Sequence, residues 1–444
     1  MRSVKPIGIS ADIDDGQTIW TMDDGLALSF YSPPEATSAS TTLATSPATT
    51  SASASTSTST NSVLADVTAH ESGGSLGYGG ALAVLRDASN SPMNATVFSE
   101  LTAVADDLTS GEISASRYVK QMFDNVVLGN SANAYWNGGS DDEVTLGDLS
   151  ATSRPWEFKD LIRKWFLGTD LPGVASAPGV TLAPWEGSDD TSYQASSLPL
   201  FTSAGPQITD VNQGQVGDCW FLAALGETAL LDPSLIDGMI SEHGNGTYAI
   251  RFEVNGKADY VTVNDQLSTY SGGIEQYNGS QMEFANSTTS LWVPLVEKAL
   301  AQLSEQSGVV TGMQYAGGDD QYYALNSGAG EGMSLITGQS NTSYYLGNES
   351  GSGLTSLLGT LENSLAAGDD VLLGTSDNYV SGNLVNDHMF AVTGINATTG
   401  MVSLYNPWGG NAFGENKAEN FSISASALVA DQAYFFAAQG TVTA

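Results

Sequence analysis

Cys219, the only thiol in the chain, stands in the run QITDVNQGQVGDCWFLAALGETALL, where turn-forming residues around Gly214 and Gly217 give way to an apolar pattern of helical spacing that begins at the cysteine. That order predicts a thiol at a helix N-terminus. Unpaired N–H groups and the positive end of the helix dipole favour thiolate there, and nucleophilic cysteines move from a pKa of about 8.5 to as low as about 4. A shift of about four units corresponds to about 5 kcal/mol, more than a helix end supplies, so a cationic partner is required. A lone cysteine is otherwise often a buried and inert residue, and its surroundings must decide. Of the three histidines, His388 opens the apolar strand HMFAVTGI after the polar loop DNYVSGNLVND, an edge position from which an imidazole reaches across a cleft. His70, beside a Ser/Thr/Ala tract, and His243, in the turn EHGNG, read as exposed and inert.

Eighteen residues beyond His388, MVSLYNPWGG places Asn406 at the end of a second strand, and the TTG turn at 398–400 makes the two strands an antiparallel hairpin. Such pairing brings an Asn amide within reach of an imidazole N–H and fixes its tautomer and ring plane, as the third member of a triad must. Trp408 can lie over that hydrogen bond and exclude water, or simply pack. Six residues before the thiol, Gln213 could donate, together with the Cys219 N–H, to an oxyanion. Gln215 competes for that role.

The elements around these residues divide the chain. Residues 1–35 read as an N-terminal tail with a short hairpin, and 36–65 as a disordered Ser/Thr/Ala linker that cannot bury enough apolar surface to offset chain entropy. Residues 66–172 carry helical spacing, clearest in SRPWEFKDLIRKWFLG, where Ser153 and Pro155 suit a start, Trp156, Leu161, Ile162, Trp165 and Phe166 an apolar face, and Gly168 a stop. A Pro/Gly/Ser/Ala-rich linker, 173–197, leads to 198–444, the part that carries the chemistry.

Thirteen basic against 49 acidic side chains give a net charge of -36. Such a surface repels nucleic acid and anionic membranes, so neither is an expected partner. From Ser196 onward the cations are Arg251, Lys257, Lys298 and Lys417, whereas the helical region collects Arg117, Lys120, Arg154, Lys159, Arg163 and Lys164. Opposite fields would favour docking of the helical region on the core, where it would restrain it; a small autonomous helical domain with its tryptophans as core is the other reading, and the one preferred. One cysteine excludes an intramolecular disulfide. No signal peptide and no apolar run of about 20 residues is present, so the expectation is a soluble chain, cytoplasmic or exported without an N-terminal signal.

In this order, QGQVGDCWFLAAL, the hairpin YAIRFEVNGKADYVTVNDQL, the helix LWVPLVEKALAQL, DHMFAVTG and NPWG, spread over residues 200–425, resemble the catalytic core of the calpain family of papain-like cysteine peptidases. The resemblance implies an α+β fold: a two-lobed papain-like core, with the Cys helix in a helical lobe and His and Asn in a β-rich lobe, preceded by the small helical region. It implies an endopeptidase acting on protein or peptide substrates, with Cys219 as nucleophile, His388 as general acid/base, Asn406 as its orienter and Gln213, rather than Gln215, as oxyanion donor. No metal or organic cofactor does the chemistry. Animal members of the family need calcium to align two half-sites, and Gly205 and Asp210 fall where the family places part of one calcium loop, so calcium enters as a candidate activator. No EF-hand pattern is present, and Asp319, Asp320, Asp369 and Asp370 read as solvated surface. Two other readings stand beside this one. A transglutaminase-like acyl transferase shares the ordered Cys and His but carries an acidic third residue, against which Asn406 argues. A catalytically inactive binding module would be favoured by a missing triad residue, and none is missing.

Overall fold

The structure, a computed structural model, describes residues 63–139, 144–174, 191–214, 216–270, 285, 287, 289–306, 322–326, 331–376, 382–409 and 417–438, together with three strands within 9–29. Contacts divide the chain into two compact units, Met1–Ser59 and Thr60–Ala444. In the first, β1 (Ile9–Asp14), β2 (Gln17–Met22) and β3 (Ala27–Ser29) form an antiparallel meander, one strand more than the expected hairpin. The Ser/Thr/Ala tract lies outside the described residues up to 62, and its last three positions belong to a helix.

The second unit opens with α1 (Val63–His70), α2 (Tyr78–Ser89), α3 (Ala95–Ser110), α4 (Arg117–Val127), the short pair β4 (Tyr135–Trp136) and β5 (Val144–Thr145), and α5 (Pro155–Ile162). Local chemistry sets their ends. Asn94 Oδ1 accepts the Thr96 and Val97 N–H groups at 2.9 and 3.1 Å, the side-chain cap that asparagine provides. Pro155 takes the first position of α5, and Glu157 accepts the Arg154 N–H at 2.6 Å. After a wider turn over Arg163–Leu167 the chain leaves at Gly168, φ 57°, where a Cβ would lie 2.6 Å from the Val263 backbone. Trp165 is buried with its indole N–H on Asn133 Oδ1 (2.6 Å), but Trp156, expected on the same apolar face, is 39% exposed under the Arg154 guanidinium.

Part of the expected linker is a strand: β6 (Thr191–Ala195) pairs with residues 266–270, and the rest, 175–190, lies outside the described residues. Then follow α6 (Cys219–Leu231), α7 (Pro233–Met239), the antiparallel sheet β7 (Ile240–Glu242), β8 (Thr247–Val254) and β9 (Lys257–Asn264), β10 (Gln266–Tyr270), α8 (Trp292–Ser304) and α9 (Glu331–Thr337). The sequence of α6 is apolar all round, which demands burial on every side. It obtains that burial: Trp220 through Ala229 are inaccessible, and α9 crosses so closely that a Cβ on Gly332 would lie 2.6 Å from the Trp220 carbonyl. Alternation along β8 and β9 sends Ile250, Phe252, Val261 and Val263 into the core around α6 and α8, and Ala249 and Tyr260 into the cluster built on α2–α5.

The C-terminal elements are β11 (Asn341–Tyr345), α10 (Gly351–Ala367), β12 (Val371–Gly374), β13 (Met389–Asn396), β14 (Met401–Tyr405), β15 (Asn420–Ser424), α11 (Ala425–Ala430) and β16 (Tyr434–Ala438). They make a six-stranded antiparallel sheet in the order β11-β16-β12-β13-β14-β15. Leu372, Met389, Ala391 and Tyr405 join the core of α6, while Val371, Leu373, Phe390 and Val392 pack with Leu358 and Leu361 of α10 and Leu428 of α11. One helix, α6, therefore carries the candidate thiol and touches the sheet that carries the candidate histidine. No single helix among the described residues is long and apolar enough to cross a membrane.

Polar contacts from the helical region run to the outer face of β8–β9 and to the end of α8. Thr262 Oγ1 donates to the Trp165 carbonyl (2.6 Å) and so accepts from Tyr118 Oη (2.8 Å). Lys164 Nζ is buried between Asp170 Oδ2 (2.6 Å) and the Glu305 carboxylate (2.8 Å) and also meets the Tyr135 carbonyl (3.2 Å). His243, expected to be exposed, is half-buried and stacks on Tyr78 and Tyr118 with ring centroids 3.9 and 5.0 Å away, and burial lowers its pKa to about 4.

Candidate active site

Cys219 is the first residue of α6, with the Asp218 carbonyl accepting the Phe221 and Leu222 N–H groups at 2.9 and 3.1 Å. Cys219 is half-buried, and the backbone of Met389, the residue after His388, comes close enough to the thiol to lower its pKa. His388 is held at the start of β13 by a two-way clamp. Its N–H donates to Thr375 Oγ1 (3.0 Å) and its carbonyl accepts the Thr375 N–H (2.9 Å). The chain reaches it through Asp387 at φ 47°, a left-handed conformation that aspartate tolerates better than most residues.

His388 Nε2 lies 2.8 Å from Asn406 Oδ1, and the same Oδ1 accepts the Trp408 N–H at 3.1 Å. Because a backbone N–H donates to that amide atom, it is the oxygen, and Nε2 must carry the proton. Nδ1 is then the free lone pair. Asn406 is fully buried, and its own N–H donates to the Glu419 carbonyl (2.8 Å). Rings close over the pair: Trp408 lies 4.8 Å from the imidazole at 53°, and Phe390 meets it edge-on at 4.8 Å. A bulge between Val392 and Gly394 shifts the hairpin register by one residue, so that Ala391 lies opposite Tyr405 and the two ends come together.

Gln213 is buried and donates one amide hydrogen to the Val216 carbonyl (2.6 Å). Two bonds tie its loop to the end of β14: the Gln213 N–H to the Pro407 carbonyl (2.7 Å) and Tyr405 Oη to the Val211 carbonyl (2.8 Å). Gln215 lies outside the described residues. Gln213, Cys219, His388, Asn406 and Trp408 are thus carried by three mutually bonded segments. Sequence reasoning missed Thr375, whose clamp on His388 spans 13 residues, and Asn326, whose Oδ1 accepts the Gly217 N–H at 2.5 Å. No local motif announces either.

The electrostatics differ from the sequence expectation. Burial pushes the Cys219 thiol up to about 12, opposed by the backbone N–H groups of Met389 and Trp220, with Asp218 and Asp387 adding to the rise. Burial also lowers His388 to about 4, opposed by its bond to Asn406. Burial thus favours the neutral form of each group taken alone. Asp370, read as solvated surface, is buried too: its Oδ2 accepts from Thr228 Oγ1 of α6 (2.7 Å), while Glu227 Oε1 accepts the Val371 N–H (2.9 Å). Burial raises Asp370 from 3.8 to about 7 and raises Glu227 well above its usual range.

These shifts predict a pH dependence of stability. Asp370 holds a proton that the unfolded chain releases, so its contribution is full below 3.8 and is lost as pH rises through about 7. The histidines act oppositely: lowered from 6.5 to about 4, they contribute fully above 6.5 and lose it as pH falls. Above about pH 6.5 only the carboxyls change, so the urea midpoint is expected to fall between about pH 6.5 and about pH 8, less steeply in Asp370→Asn. A midpoint that climbs over that range would contradict the assignment.

Gly205 sits in an open turn at φ 73°, and Asp210 Oδ2 already accepts the Gln207 N–H (3.0 Å) and the Trp292 indole (2.8 Å). Among the described residues no three His, Cys, Asp or Glu side chains are grouped for a metal, and Asp319 and Asp320 lie outside them. One committed carboxylate is not the set of six to eight oxygens that calcium takes. Gly205 and Asp210 do not fit the ion by themselves.

Residues 184–422 match the family model described as calpain family cysteine protease. Among curated proteins, a calpain-type cysteine protease, ADL1, of Oryza sativa subsp. japonica is 28% identical over 218 residues, covering 48% of this chain and 9% of that protein. Calpain-8 of Mus musculus is 27% identical over 261 residues, 54% of this chain and 32% of its own length. The calpain-2 catalytic subunit of Bos taurus is 27% identical over 234 residues, 48% and 29%. The chain spans less than a third of the length of these relatives, yet the family match covers more than half of its 444 residues, and the protein belongs to the calpain family of cysteine proteases.

Proposed function

We propose that the chain is an endopeptidase that hydrolyses peptide bonds in proteins through Cys219, His388 and Asn406. The observation that carries this reading is the buried 2.8 Å bond from His388 Nε2 to Asn406 Oδ1, which leaves Nδ1 to exchange a proton with Cys219. Transfer of the thiol proton to Nδ1 creates a thiolate and an imidazolium whose mutual attraction offsets the burial that otherwise keeps each neutral. The thiolate adds to the peptide carbonyl. The resulting oxyanion accepts from the Cys219 N–H and the second Gln213 amide hydrogen. Collapse expels the amine, which takes the proton from Nδ1, and leaves a thioester at Cys219. Water then gives its proton back to Nδ1 and its oxygen to the acyl carbon, which frees the thiol. Asn406 keeps the ring in one plane through both proton transfers, and Trp408 keeps water off their bond.

The core around α6 and the six-stranded sheet are the two lobes of this proposal, and the helical region is docked on the outer face of β8–β9. Gln213→Ala is expected to lower kcat/KM about a hundred- to a thousandfold with KM little changed, measured on a fluorogenic peptide. A loss under about threefold would assign the oxyanion to other donors. Calcium is a candidate activator from outside the chemistry, and casein cleavage is expected to persist in excess EGTA. Loss of cleavage in EGTA, restored by calcium and not magnesium, would assign the ion a structural role. The reading itself is tested by casein digestion in the presence of a labelled primary amine: hydrolysis without incorporation supports a peptidase, incorporation a transglutaminase-like transferase, and neither a binding module.

A further inference from the structure

Asp218 immediately precedes the candidate nucleophile and is fully buried. It holds the N-cap position of α6, where an aspartate ordinarily accepts N–H groups of the first turn, yet its side chain makes no such bond. Neither carboxyl oxygen meets an N–H or O–H donor among the described residues. Asp218 faces Glu297 of α8, also fully buried, whose Oε2 accepts the Ala285 N–H at 2.8 Å while Oε1 has no donor. Two facing carboxyls removed from water do not both ionise readily, and a proton held between them would satisfy the oxygens that no donor reaches. The neighbouring charges are placed as follows. Cys219 adjoins the pair on α6, Asp387 and the Met389 backbone approach the thiol from the β13 side, and Lys298 of α8 directs its ammonium to Asn264 Oδ1 and the Gln266 carbonyl (2.6 and 2.7 Å).

We propose that Asp218 and Glu297 form a proton-holding positioning pair behind Cys219, neutral with both protons bound and, after losing one, placing a negative charge that disfavours the thiolate and closes the active range from the alkaline side. Burial raises both carboxyls, Asp218 raises Glu297 further while a hydrogen bond from Glu297 lowers Asp218, and Asp218 in turn raises the thiol. The shifts of His388 come instead from burial and Asn406. The pair therefore acts on one member of the reacting couple. Nothing in the peptide chemistry uses these protons, which makes their burial beside the thiol a matter of tuning.

The inference rests on Cys219 being the nucleophile. Its test reads the thiol directly, by the rate of iodoacetamide alkylation of Cys219 in the full chain between about pH 5 and about pH 10, whereas casein hydrolysis reads the peptidase proposal, so the two fail separately. Wild type is expected to show two inflections. Asp218→Asn removes the lower one and moves the thiolate inflection about one unit towards acid, about tenfold faster alkylation at a given pH. Glu297→Gln donates an amide hydrogen to Asp218, keeps it ionised and slows alkylation about tenfold on the acid side. Shifts of opposite sign from two near-isosteric changes are not what a packing role produces. Should Asp218→Asn fail to fold, the Glu297→Gln displacement decides alone. Profiles that coincide with wild type within about 0.3 unit, or that move in the same direction, would overturn the proposal.

Discussion

Cys219→Ala is expected to reduce casein hydrolysis by at least about a thousandfold while leaving the urea midpoint where it was. The magnitude follows from covalent chemistry: without the sulfur no thioester forms, and the remaining oxyanion donors and binding groups retain only a small residual rate. The fold is expected to survive because the lost atom is half-buried at the cleft, and replacing a thiol by a methyl group there creates little cavity. Asn406→Ala removes orientation but not the imidazole, so its loss is smaller, and the same assay orders the two variants. Residual cleavage by Cys219→Ala at the wild-type rate would show that another group attacks the peptide.

The largest stability effect is expected at Lys164, far along the chain from the thiol. Its ammonium is buried between Asp170 and Glu305, which are 0% and 6% exposed, and joins the helical region to the end of α8. Lys164→Met leaves two buried carboxylates without their cation, and removing one partner of such a buried pair costs about 3–5 kcal/mol. Urea unfolding of the full chain measures it. Adding Asp170→Asn and Glu305→Gln should recover part of the loss, since the uncompensated charges are then gone. Contacts of the helical region run to the outer face of β8–β9, so below the unfolding transition the variant is expected to cleave casein at a rate within about threefold of wild type. A several-fold rise in activity would instead support restraint by docking, and a stability loss under about 1 kcal/mol would mean that the site is solvated.

The legible part of the site was the part encoded locally. The glycines before Cys219 and the apolar run after it are a helix start whatever the rest of the chain does, and α6 begins at that cysteine. The turn at 398–400 pairs Asn396 with Met401, but Ala391 comes opposite Tyr405 only through a bulge between Val392 and Gly394, so the hairpin was legible and the register by which His388 meets Asn406 was not. Pro155 and Gly168 bounded their helix for equally local reasons. What could not be read depends on packing across long separations. Asp370 becomes buried only because Thr228 of α6 lies against it, 142 residues earlier in the chain. Composition counts each carboxylate as a surface charge, yet Asp218, Glu227, Glu297 and Asp370 are all inaccessible and surround the helix of the thiol. His243 was misjudged for the same reason, since the rings that enclose it come from α2 and α4. The thiol differs: its place at the helix terminus is written locally, whereas the burial that raises it is set by the packing of distant segments.

The central claim, that Cys219 is the nucleophile of a peptidase, is tested most directly by titrating the full chain with a peptidyl epoxide while following casein hydrolysis and mapping the adduct by mass spectrometry. The account predicts one adduct per chain, on Cys219, with activity falling in proportion to labelling and no adduct in His388→Ala at the same exposure. Hydrolysis that continues undiminished when Cys219 is fully modified would contradict it.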